Sequence, residues 1–569
     1  LTVAVAEPAL APVTAGRLSP PWTPRRGVLT AFAFAAVAAF LWAWNHVGMT
    51  FSGLLDGAGD VANLVGRMFP PRFDDLDRTI DLAIETFFIA LLGTTLATLL
   101  SLPLAFLAAR NTTPGRAVHG IARAVIVFCR AVPDLVFAVI FVRSVGIGLL
   151  PGVLAIALHS VGMIGKLFAD AVEQVDEVPR DAVRSTGAGR LQELATAVLP
   201  QALPGFIATF LYRLDINVRI SVVLGIVGAG GIGFALQNAL RTLSYRTGFG
   251  IVIVIAVLVI GVELFSAVVR RAIIGDDAIT AASRQTRGDR LLARWRPRRA
   301  ARTPAYDPKT VAPPWTSVRR RGVAYLAAFI VLLAYSFVSV ELSPLDVLRG
   351  VPGMWETAGL LFPPSLGGLP WADFQEPMLE TIAIGVVATV LGGVVGVPIG
   401  FLAARNVSPA RWVYRAARFG LVLWRSVPEL VLAVIFVSAI GLGPVGGTLA
   451  LSIASVGFLA KLVADAVEEI DAAPREAVLT TGATRLQETA TSVVPQALPA
   501  MVGQLLYLLD INIRTSTILG IVGGGGIGFL LFNSLRVLRY EVTGAILIMI
   551  FVTVYAIERL SGWIRKLLI

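Results

Sequence analysis

Long apolar stretches, separated by short polar connections, recur along the whole chain. A helix that crosses a bilayer needs roughly 20 mostly apolar residues, and the first half of the sequence contains six stretches near or above this length. They lie near Val28–Trp44, Ile80–Ala109, Val118–Val142, Leu149–Phe168, Leu203–Val227 and Phe249–Val269. The pattern continues in the second half, so it predicts an all-α polytopic membrane protein with about 12 transmembrane helices.

The sequence repeats itself at an offset of 295 residues, which brings Leu107–Asn111 onto the identical Leu402–Asn406. Of the 47 positions from Gly187 to Gly233, 31 are identical to their partners from Gly482 to Gly528. Such identity indicates duplication rather than similar composition. We therefore predict two tandem six-helix units related by a pseudo-two-fold axis. They cover residues 28–272 and 319–569, with a leader at 1–27 and a linker at 273–318.

Composition supports a membrane protein, and charge gives it an orientation. The chain is 56% hydrophobic and 15% charged, with a mean hydropathy of +0.78. Between Arg270 and Arg321 there are 14 Arg or Lys against four Asp, whereas Asn45–Arg78 holds five Asp against three Arg. Because basic residues collect on the cytoplasmic side, we expect cytoplasmic N- and C-termini at a bacterial plasma membrane. Topology explains the net charge of +11 without a nucleic-acid partner.

A polar segment follows the fourth span of each half. In the first half Pro179 suits the first position of a short helix, Asp181 suits a helix N-terminus, and Gly187 permits a tight turn. Pro200 can then open the next span. A helix, a glycine break and a second helix predict a rigid helical protrusion outside the bilayer that docks into another protein.

The two polar segments resemble the EAA loop of ABC importer permeases, the coupling helix that inserts into the ATPase subunit. The second copy reads Glu476-Ala-Val-Leu-Thr-Thr-Gly482, with Pro495 thirteen residues further on, and the first has Asp181 in place of Glu. Both copies lack the usual isoleucine, with Ala197 and Ser492 at that position. The resemblance implies ATPase-coupling roles for Asp181, Ala182, Gly187, Arg190, Glu193, Glu476, Ala477, Gly482, Arg485 and Glu488.

Further motifs resemble those of phosphonate-type importer permeases. They are Arg-x-Val-Pro-Asp/Glu-Leu at Arg130 and Arg425, Gly165–Phe168, Thr186–Glu193 and Leu224–Gly233. The resemblance implies a fused pair of type I importer units that work with two ABC ATPase subunits and an extracytoplasmic substrate-binding protein. It implies phosphonate, phosphate or phosphite as cargo without separating them. ATP and Mg would bind the partner ATPases, and this chain would bind no cofactor.

Ionisable residues inside the spans recur in both halves as opposite charges four residues apart, which places them on one helix face. The pairs are Arg130 with Asp134, Lys166 with Asp170, Asp215 with Arg219, Arg425 with Glu429, Lys461 with Asp465, and Asp510 with Arg514. Mutual neutralisation is one interpretation. The other is an anion path lined by Arg130, Arg219, Arg425 and Arg514 with Asn217 and Asn512, because guanidinium groups suit phosphoryl oxygens. Arg143, His159 and Arg213 have the neutral counterparts Ser438, Ala454 and Leu508.

Other functions have weaker support. The glycine run Gly228–Gly233 lacks the Lys-Ser/Thr of a phosphate loop and is expected to form a tight turn. Three histidines, His46, His119 and His159, have no metal-ligand spacing, and no catalytic constellation stands out. We therefore expect a permease rather than an enzyme. A methionine or osmolyte importer, a secondary transporter of parallel repeats and a membrane scaffold remain as alternatives.

Overall fold

A computed structural model describes residues 24–226, 228–274, 317–340 and 344–568. The first half contains helices α1 Pro24–Val47, α2 Phe51–Met68, α3 Leu76–Ala108, α4 Arg116–Ala131, α5 Asp134–Val145, α6 Leu149–Glu173, α7 Glu177–Ser185, α8 Arg190–Glu193, α9 Leu199–Ile226, α10 Ile232–Arg241 and α11 Tyr245–Ile274. The second half contains α12 Ser317–Ser339, α13 Pro344–Leu360, α14 Ala372–Leu402, α15 Arg411–Ser426, α16 Glu429–Ile440, α17 Pro444–Glu468, α18 Ala472–Thr480, α19 Arg485–Glu488, α20 Val494–Ile521, α21 Ile527–Arg536 and α22 Tyr540–Leu568. No strand occurs in these ranges.

The predicted all-α membrane fold with two repeats is confirmed. Among the described residues, ten helices are long and apolar enough to cross a membrane, and the number rises to 12 if each of two bent helix pairs counts as one span. The unit boundaries at 28, 272 and 319 stay predictions. The leader up to residue 23 and most of the linker, residues 275–316, lie outside the described residues.

The third predicted span of each half, Val118–Val142 in the first, is two helices rather than one. Helix α4 ends at Ala131 and α5 begins at Asp134 with a bend of 87°, and α15 and α16 meet at 74°. Pro133 and Pro428 lie at these breaks. Proline has no N–H for the helical hydrogen bond and clashes with the preceding turn, so the apolar run continues while the helix does not.

Four helices that do not span the membrane were not predicted. Helices α2 and α13 follow the first helix of each half; α2 packs on α16 of the second half and α13 on α5 of the first. The glycine runs end α9 and α20 in turns that lead into α10 and α21, with positive φ at Gly228, Gly230 and Gly231. The expected tight turn is therefore present, and a short helix follows it.

The core of each half is a three-helix junction of α3, α6 and α9, or of α14, α17 and α20. Asn217 lies at the first junction, where its Nδ2 donates to Thr94 Oγ1 at 2.8 Å and Ser160 Oγ at 3.0 Å. Asn512 repeats this with Thr389 and Ser455, both at 2.9 Å. Hydrogen bonds of this kind join helices in an apolar surrounding, so the asparagines fix the packing of their own half.

The first helix of each half packs on the opposite half. Helix α1 lies against α14, and α12 lies against α3. Aromatic side chains of α12 pack on the first half, with ring centroids 5.7 Å apart for Tyr335 and Phe88 of α3 and 5.6 Å apart for Phe329 and Phe210 of α9. Because the first helix of each half packs on the opposite half, the two units are intertwined.

Candidate functional site: paired polar loops and a central charge network

The polar segment of each half folds as the predicted helix, glycine turn and second helix. Asp176 caps α7 by accepting from Val178 N at 3.0 Å, and Asp471 caps α18 in the same way. Helix α7 begins at Glu177, so Pro179 is its third residue and not its first. Gly187 and Gly482 have φ of +81° and +82°, a region that side-chain-bearing residues rarely adopt. We call residues 176–193 and 471–488 the coupling loops.

An arginine that the sequence did not single out bonds the buried glutamate of each coupling loop, and we call this contact the brace. Arg180 is 2% exposed; its Nε donates to Glu193 Oε1 at 2.8 Å, and its Nη2 donates to the Asn111 carbonyl at 2.8 Å. Arg475 repeats both bonds with Glu488 at 2.7 Å and the Asn406 carbonyl at 2.8 Å. Glu193 and Glu488 therefore stabilise the loops from inside. Both glutamates are buried, and their predicted role in ATPase coupling stays a prediction.

The Leu-Ala-Ala-Arg-Asn motif ties each coupling loop to the membrane helices. Asn111 Nδ2 donates to the Val172 carbonyl at 2.8 Å, and Arg123 Nη2 lies 2.9 Å from Glu173 Oε1 at the end of α6. The copies Asn406 and Arg418 bond Val467 and Glu468. Each loop is therefore joined to α3, α4 and α6, or to their copies, by hydrogen bonds and an ion pair.

The outer surface of each loop is exposed and combines charge with one large apolar side chain. Leu191 is 82% exposed and its copy Leu486 is 83% exposed. The other predicted coupling residues are exposed around them: Asp181, Ala182, Gly187, Arg190, Glu476, Ala477, Gly482 and Arg485. An apolar side chain held out on a rigid polar helix pair is typical of a docking surface.

The loops differ at two positions beside the brace. Glu177 pairs with Arg180 where the second half has Ala472, and Arg184 is the other difference. Arg184 adds a second ion pair to Glu193, at 3.0 Å, where the second half has Leu479. The hydrogen bond to Glu193 raises the pKa of the Arg184 guanidinium. The first loop thus has two arginines on its buried carboxylate and the second loop has one.

The membrane interior contains a charge network that joins the halves. Arg219 lies 3.1 Å from Asp215 and Arg514 lies 3.2 Å from Asp510, as their spacing predicted. Arg130 contacts Glu558 of the second half at 3.1 Å, and Arg425 contacts Glu263 of the first half at 3.4 Å. These two contacts are equivalent in the repeat, because Glu558 is the copy of Glu263.

Four of the six predicted ion pairs are absent from the described residues. Arg130 and Arg425 bond across the halves rather than to Asp134 and Glu429, since the proline breaks turn α5 and α16 away from α4 and α15. Asp134 instead accepts from the Leu135 backbone N–H at 2.9 Å. Asp465 pairs with Arg418 at 3.2 Å and not with Lys461. No ion pair joins Lys166 to Asp170 in the ranges that the structure covers.

Asn217 and Asn512 are buried in the three-helix junctions of their own halves, and their place on a translocation path stays a prediction. They are 0% and 2% exposed, and their side chains bond only within their own half. The four arginines are partly exposed, with side-chain values of 16% for Arg130, 17% for Arg219, 14% for Arg425 and 12% for Arg514. The buried Nε atoms of Arg130, Arg219 and Arg514 have no hydrogen-bond partner among the described residues.

Arg213 has no equivalent in the second half. It is 3% exposed, and its Nη2 donates to Ser160 Oγ at 2.9 Å and Asn217 Oδ1 at 3.0 Å. Leu508 occupies the matching position, is 1% exposed, and leaves the Asn512 network complete. Arg213 is therefore an addition to a junction that also forms without it.

Side chains that bind metals do not cluster in the described ranges. Within residues 24–226, 228–274, 317–340 and 344–568, no cluster of three or more His, Cys, Asp or Glu side chains could hold a metal ion. Cys129 is a buried free thiol.

Two intertwined helical units, a charge network between them and a pair of coupling loops at one end define a membrane transport permease. The family described as "Binding-protein-dependent transport system inner membrane component" matches residues 101–274 and 396–568. The chain belongs to this family, with the family's domain present twice.

Similar proteins come from several bacteria. The chain is 51% identical over 521 residues to the phosphate-import permease protein PhnE of Mycolicibacterium smegmatis, which covers 91% of each chain. It is 45% identical over 242 residues to the phosphite transport system permease protein PtxC of Stutzerimonas stutzeri, or 42% of this chain and 87% of that one. A structure of the MetNI methionine ABC transporter, at 24% identity, covers 34% of this chain and 96% of its own with a TM-score of 0.32.

Proposed function

We propose that this chain forms the translocation path of an ATP-driven importer for small phosphorus oxyanions. The names of its relatives support phosphate and phosphite. The observation that carries the proposal is the combination of two braced coupling loops with arginine pairs that bridge the halves. Guanidinium groups bind phosphoryl oxygens in a forked geometry that ammonium groups do not match.

The proposed orientation places the coupling loops in the cytoplasm, where two ABC ATPase subunits dock on them. The basic composition of residues 270–321 supports this side, because Lys and Arg collect on cytoplasmic loops. An extracytoplasmic binding protein delivers the anion to the opposite face. ATP and Mg bind the ATPases, and this chain supplies no catalytic group.

In the proposed cycle, closure of the ATPases moves the two coupling loops, and the brace passes that movement to α6 and the helices around it. The halves then move relative to each other, which requires the contacts of Arg130 with Glu558 and of Arg425 with Glu263 to change. An oxyanion that enters between the halves competes with Glu263 and Glu558 for the guanidinium groups. Its charge thereby lowers the cost of separating the ion pairs.

Reconstituted transport tests the proposal. The chain is placed in liposomes with its two ATPases and binding protein, and uptake of phosphate, methylphosphonate, phosphite and methionine is measured with and without ATP. We expect ATP-dependent uptake of at least one phosphorus oxyanion and no uptake of methionine. Methionine uptake, or equal oxyanion uptake without ATPases, would refute the proposal.

A further inference from the structure

Two equivalent tyrosines lie in the middle of α9 and α20. Tyr212 of α9 and Tyr507 of α20 correspond to each other at the repeat offset of 295. Both helices have 28 residues, and each tyrosine lies about 20 Å from the start of its helix at 1.5 Å per residue. The tyrosines are therefore at mid-helix, between the coupling loop at one end and the glycine turn at the other.

Each tyrosine shares a helix face with the charge network. Asp215 and Arg219 follow Tyr212 by three and seven residues, a spacing that places all three on one side of α9. The ion pair of Asp215 and Arg219, at 3.1 Å, marks that side. The same spacing recurs on α20, where Tyr507 precedes the copy of this ion pair. The two tyrosines thus belong to the side of each helix that carries the charges.

The two tyrosines interact with each other across the halves. Tyr507 interacts electrostatically with Tyr212 and Arg130, both of the first half, and Arg514 of its own helix is a further partner. Arg213 of the first half also interacts with Tyr507. Two equivalent residues that interact with each other flank the pseudo-two-fold axis. Tyr212 and Tyr507 therefore lie on opposite sides of that axis, beside two arginines of the charge network.

Both hydroxyl groups are available to a ligand. Tyr212 is 43% exposed and Tyr507 is 39% exposed, whereas the four arginines of the charge network are less accessible. Neither hydroxyl makes a hydrogen bond within the part of the chain that the structure describes. The Tyr507 ring lies beside Phe458, with 6.1 Å between the ring centroids. The pair therefore offers two free hydroxyl donors on rings that the helices hold in place.

The surroundings of the pair favour an anion with oxygen atoms. A tyrosine that only fills a core is buried and its hydroxyl usually finds a partner, which neither tyrosine does here. A hydroxyl can donate to a phosphoryl oxygen, and a hydrogen bond to a charged group is stronger than one to a neutral group. A neutral donor also adds this bond without the cost of a further charge in the membrane.

We propose that Tyr212 and Tyr507 donate hydrogen bonds to a small phosphorus oxyanion on the pseudo-two-fold axis and so form a binding site between the halves. The inference rests on the proposed oxyanion transport and names the residues that bind the anion at the middle of its path. Arg130 and Arg514 balance the charge of the anion. The tyrosines act through their oxygen atoms, so removal of those atoms alone weakens the site.

The test removes the two phenolic oxygens and keeps the rings. The variant is Y212F/Y507F, and the probe is inorganic phosphate added to the purified chain in a maltoside detergent. The phosphate concentration that gives half of the full rise in Tm should increase roughly tenfold, equivalent to about 1.4 kcal/mol. The Tm without phosphate should stay unchanged. ATP-driven phosphate uptake by the assembled transporter in liposomes should fall, with ATPase binding retained.

Single variants and a matched control sharpen the test. Y212F and Y507F should each raise the required phosphate concentration about threefold, because the free energies of two independent contacts add. The control Y325F/Y335F removes two hydroxyls from α12, where Tyr325 is 42% and Tyr335 is 63% exposed. Tyr335 packs on Phe88 rather than on the charge network. The control should stay within about twofold of the unmodified chain.

Four outcomes would overturn the proposed site. They are the same phosphate dependence in Y212F/Y507F and Y325F/Y335F, the full effect from one tyrosine alone, and a lower Tm of Y212F/Y507F without phosphate while its phosphate dependence stays unchanged. The fourth is a Tm rise with phosphatidylglycerol but not with phosphate, which would assign the pair to a lipid headgroup. Phosphate uptake by the unmodified transporter would leave the proposed function intact in each case. If the unmodified transporter takes up no phosphorus oxyanion, the proposed function itself fails.

Discussion

The two halves of this chain share the arginine contacts of the coupling loops and the ion pairs that bridge the halves. They differ at several charged positions. Both coupling loops have the same arginine brace, and both halves send an arginine to a glutamate of the other. Inside the spans, Arg143, His159 and Arg213 correspond to Ser438, Ala454 and Leu508 of the second half, and in the coupling loops Arg184 corresponds to Leu479. A fused duplicate can therefore keep the same arginine contacts in both halves while single positions diverge between the halves.

The largest effect should come from breaking the brace, and the halves should differ in its size. R475A leaves Glu488 buried without an arginine, and the loss of one partner of a buried pair costs about 3–5 kcal/mol. R180A leaves Glu193 with Arg184 at 3.0 Å, so we expect a smaller fall in Tm and in ATPase binding. The double variant R475A/E488A should recover part of the loss. Equal damage by R180A and R475A would show that Arg184 does not compensate.

The bridging ion pairs should show the next largest effect. Glu263 contacts both Arg425 and Arg219, at 3.4 and 3.9 Å, whereas Glu558 contacts Arg130. We expect E263Q to lower ATP-driven uptake more than E558Q, by about tenfold to a hundredfold for 1.5–3 kcal/mol. The charge swap R130E/E558R serves as the control and should restore uptake in part. Normal uptake by E263Q would contradict a role for these contacts.

The glycine turns should give smaller and equal effects. A side chain at Gly187 or Gly482 meets open space, so G187A and G482A add only the strain of positive φ, about 1–2 kcal/mol each. A lower Tm and weaker ATPase binding of G187A and G482A would confirm the strain. G189A is the matched control, because Gly189 has a φ of −72° that alanine accepts. A large effect of G189A would show that the turn region is sensitive for another reason.

The smallest effect on stability is expected at Arg213. R213L reproduces the arrangement around Leu508, where the Asn512 bonds are complete without an arginine, so Tm should change by little or rise. A buried charge is costly, and its removal relieves that cost. A large fall in Tm would show that Arg213 holds the first junction together.

The sequence predicted the features that depend on long apolar runs or on the repeat. Those features include the spans, the duplication and the helix, glycine and helix pattern of the coupling loops. The spans across Pro133 and Pro428 were predicted as single helices because the stretches on both sides are mostly apolar, and α10 was missed because its apolar residues continue the preceding run.

Contacts between distant parts of the chain were beyond sequence reasoning. Arg180 bonds the Asn111 carbonyl 69 residues away, and Arg130 bonds Glu558 428 residues away. The four-residue spacing predicted an ion pair between Arg130 and Asp134, because residues four apart lie on one face of a continuous helix. The break at Pro133 interrupts that helix, so the two side chains do not meet. The sequence does not show which side of a polar helix is buried, so it did not reveal that Glu193 lies inside its coupling loop.

Docking at the coupling loops is the central claim, and one comparison tests it directly. L191E/L486E places a charge on the exposed leucine of each loop, while the brace and the membrane helices stay unchanged. In liposomes with the ATPases and binding protein, the account predicts loss of both ATPase binding and ATP-driven phosphate uptake, with the Tm of the isolated chain unchanged. Full uptake by this variant, or uptake by the chain without any ATPase, would contradict it.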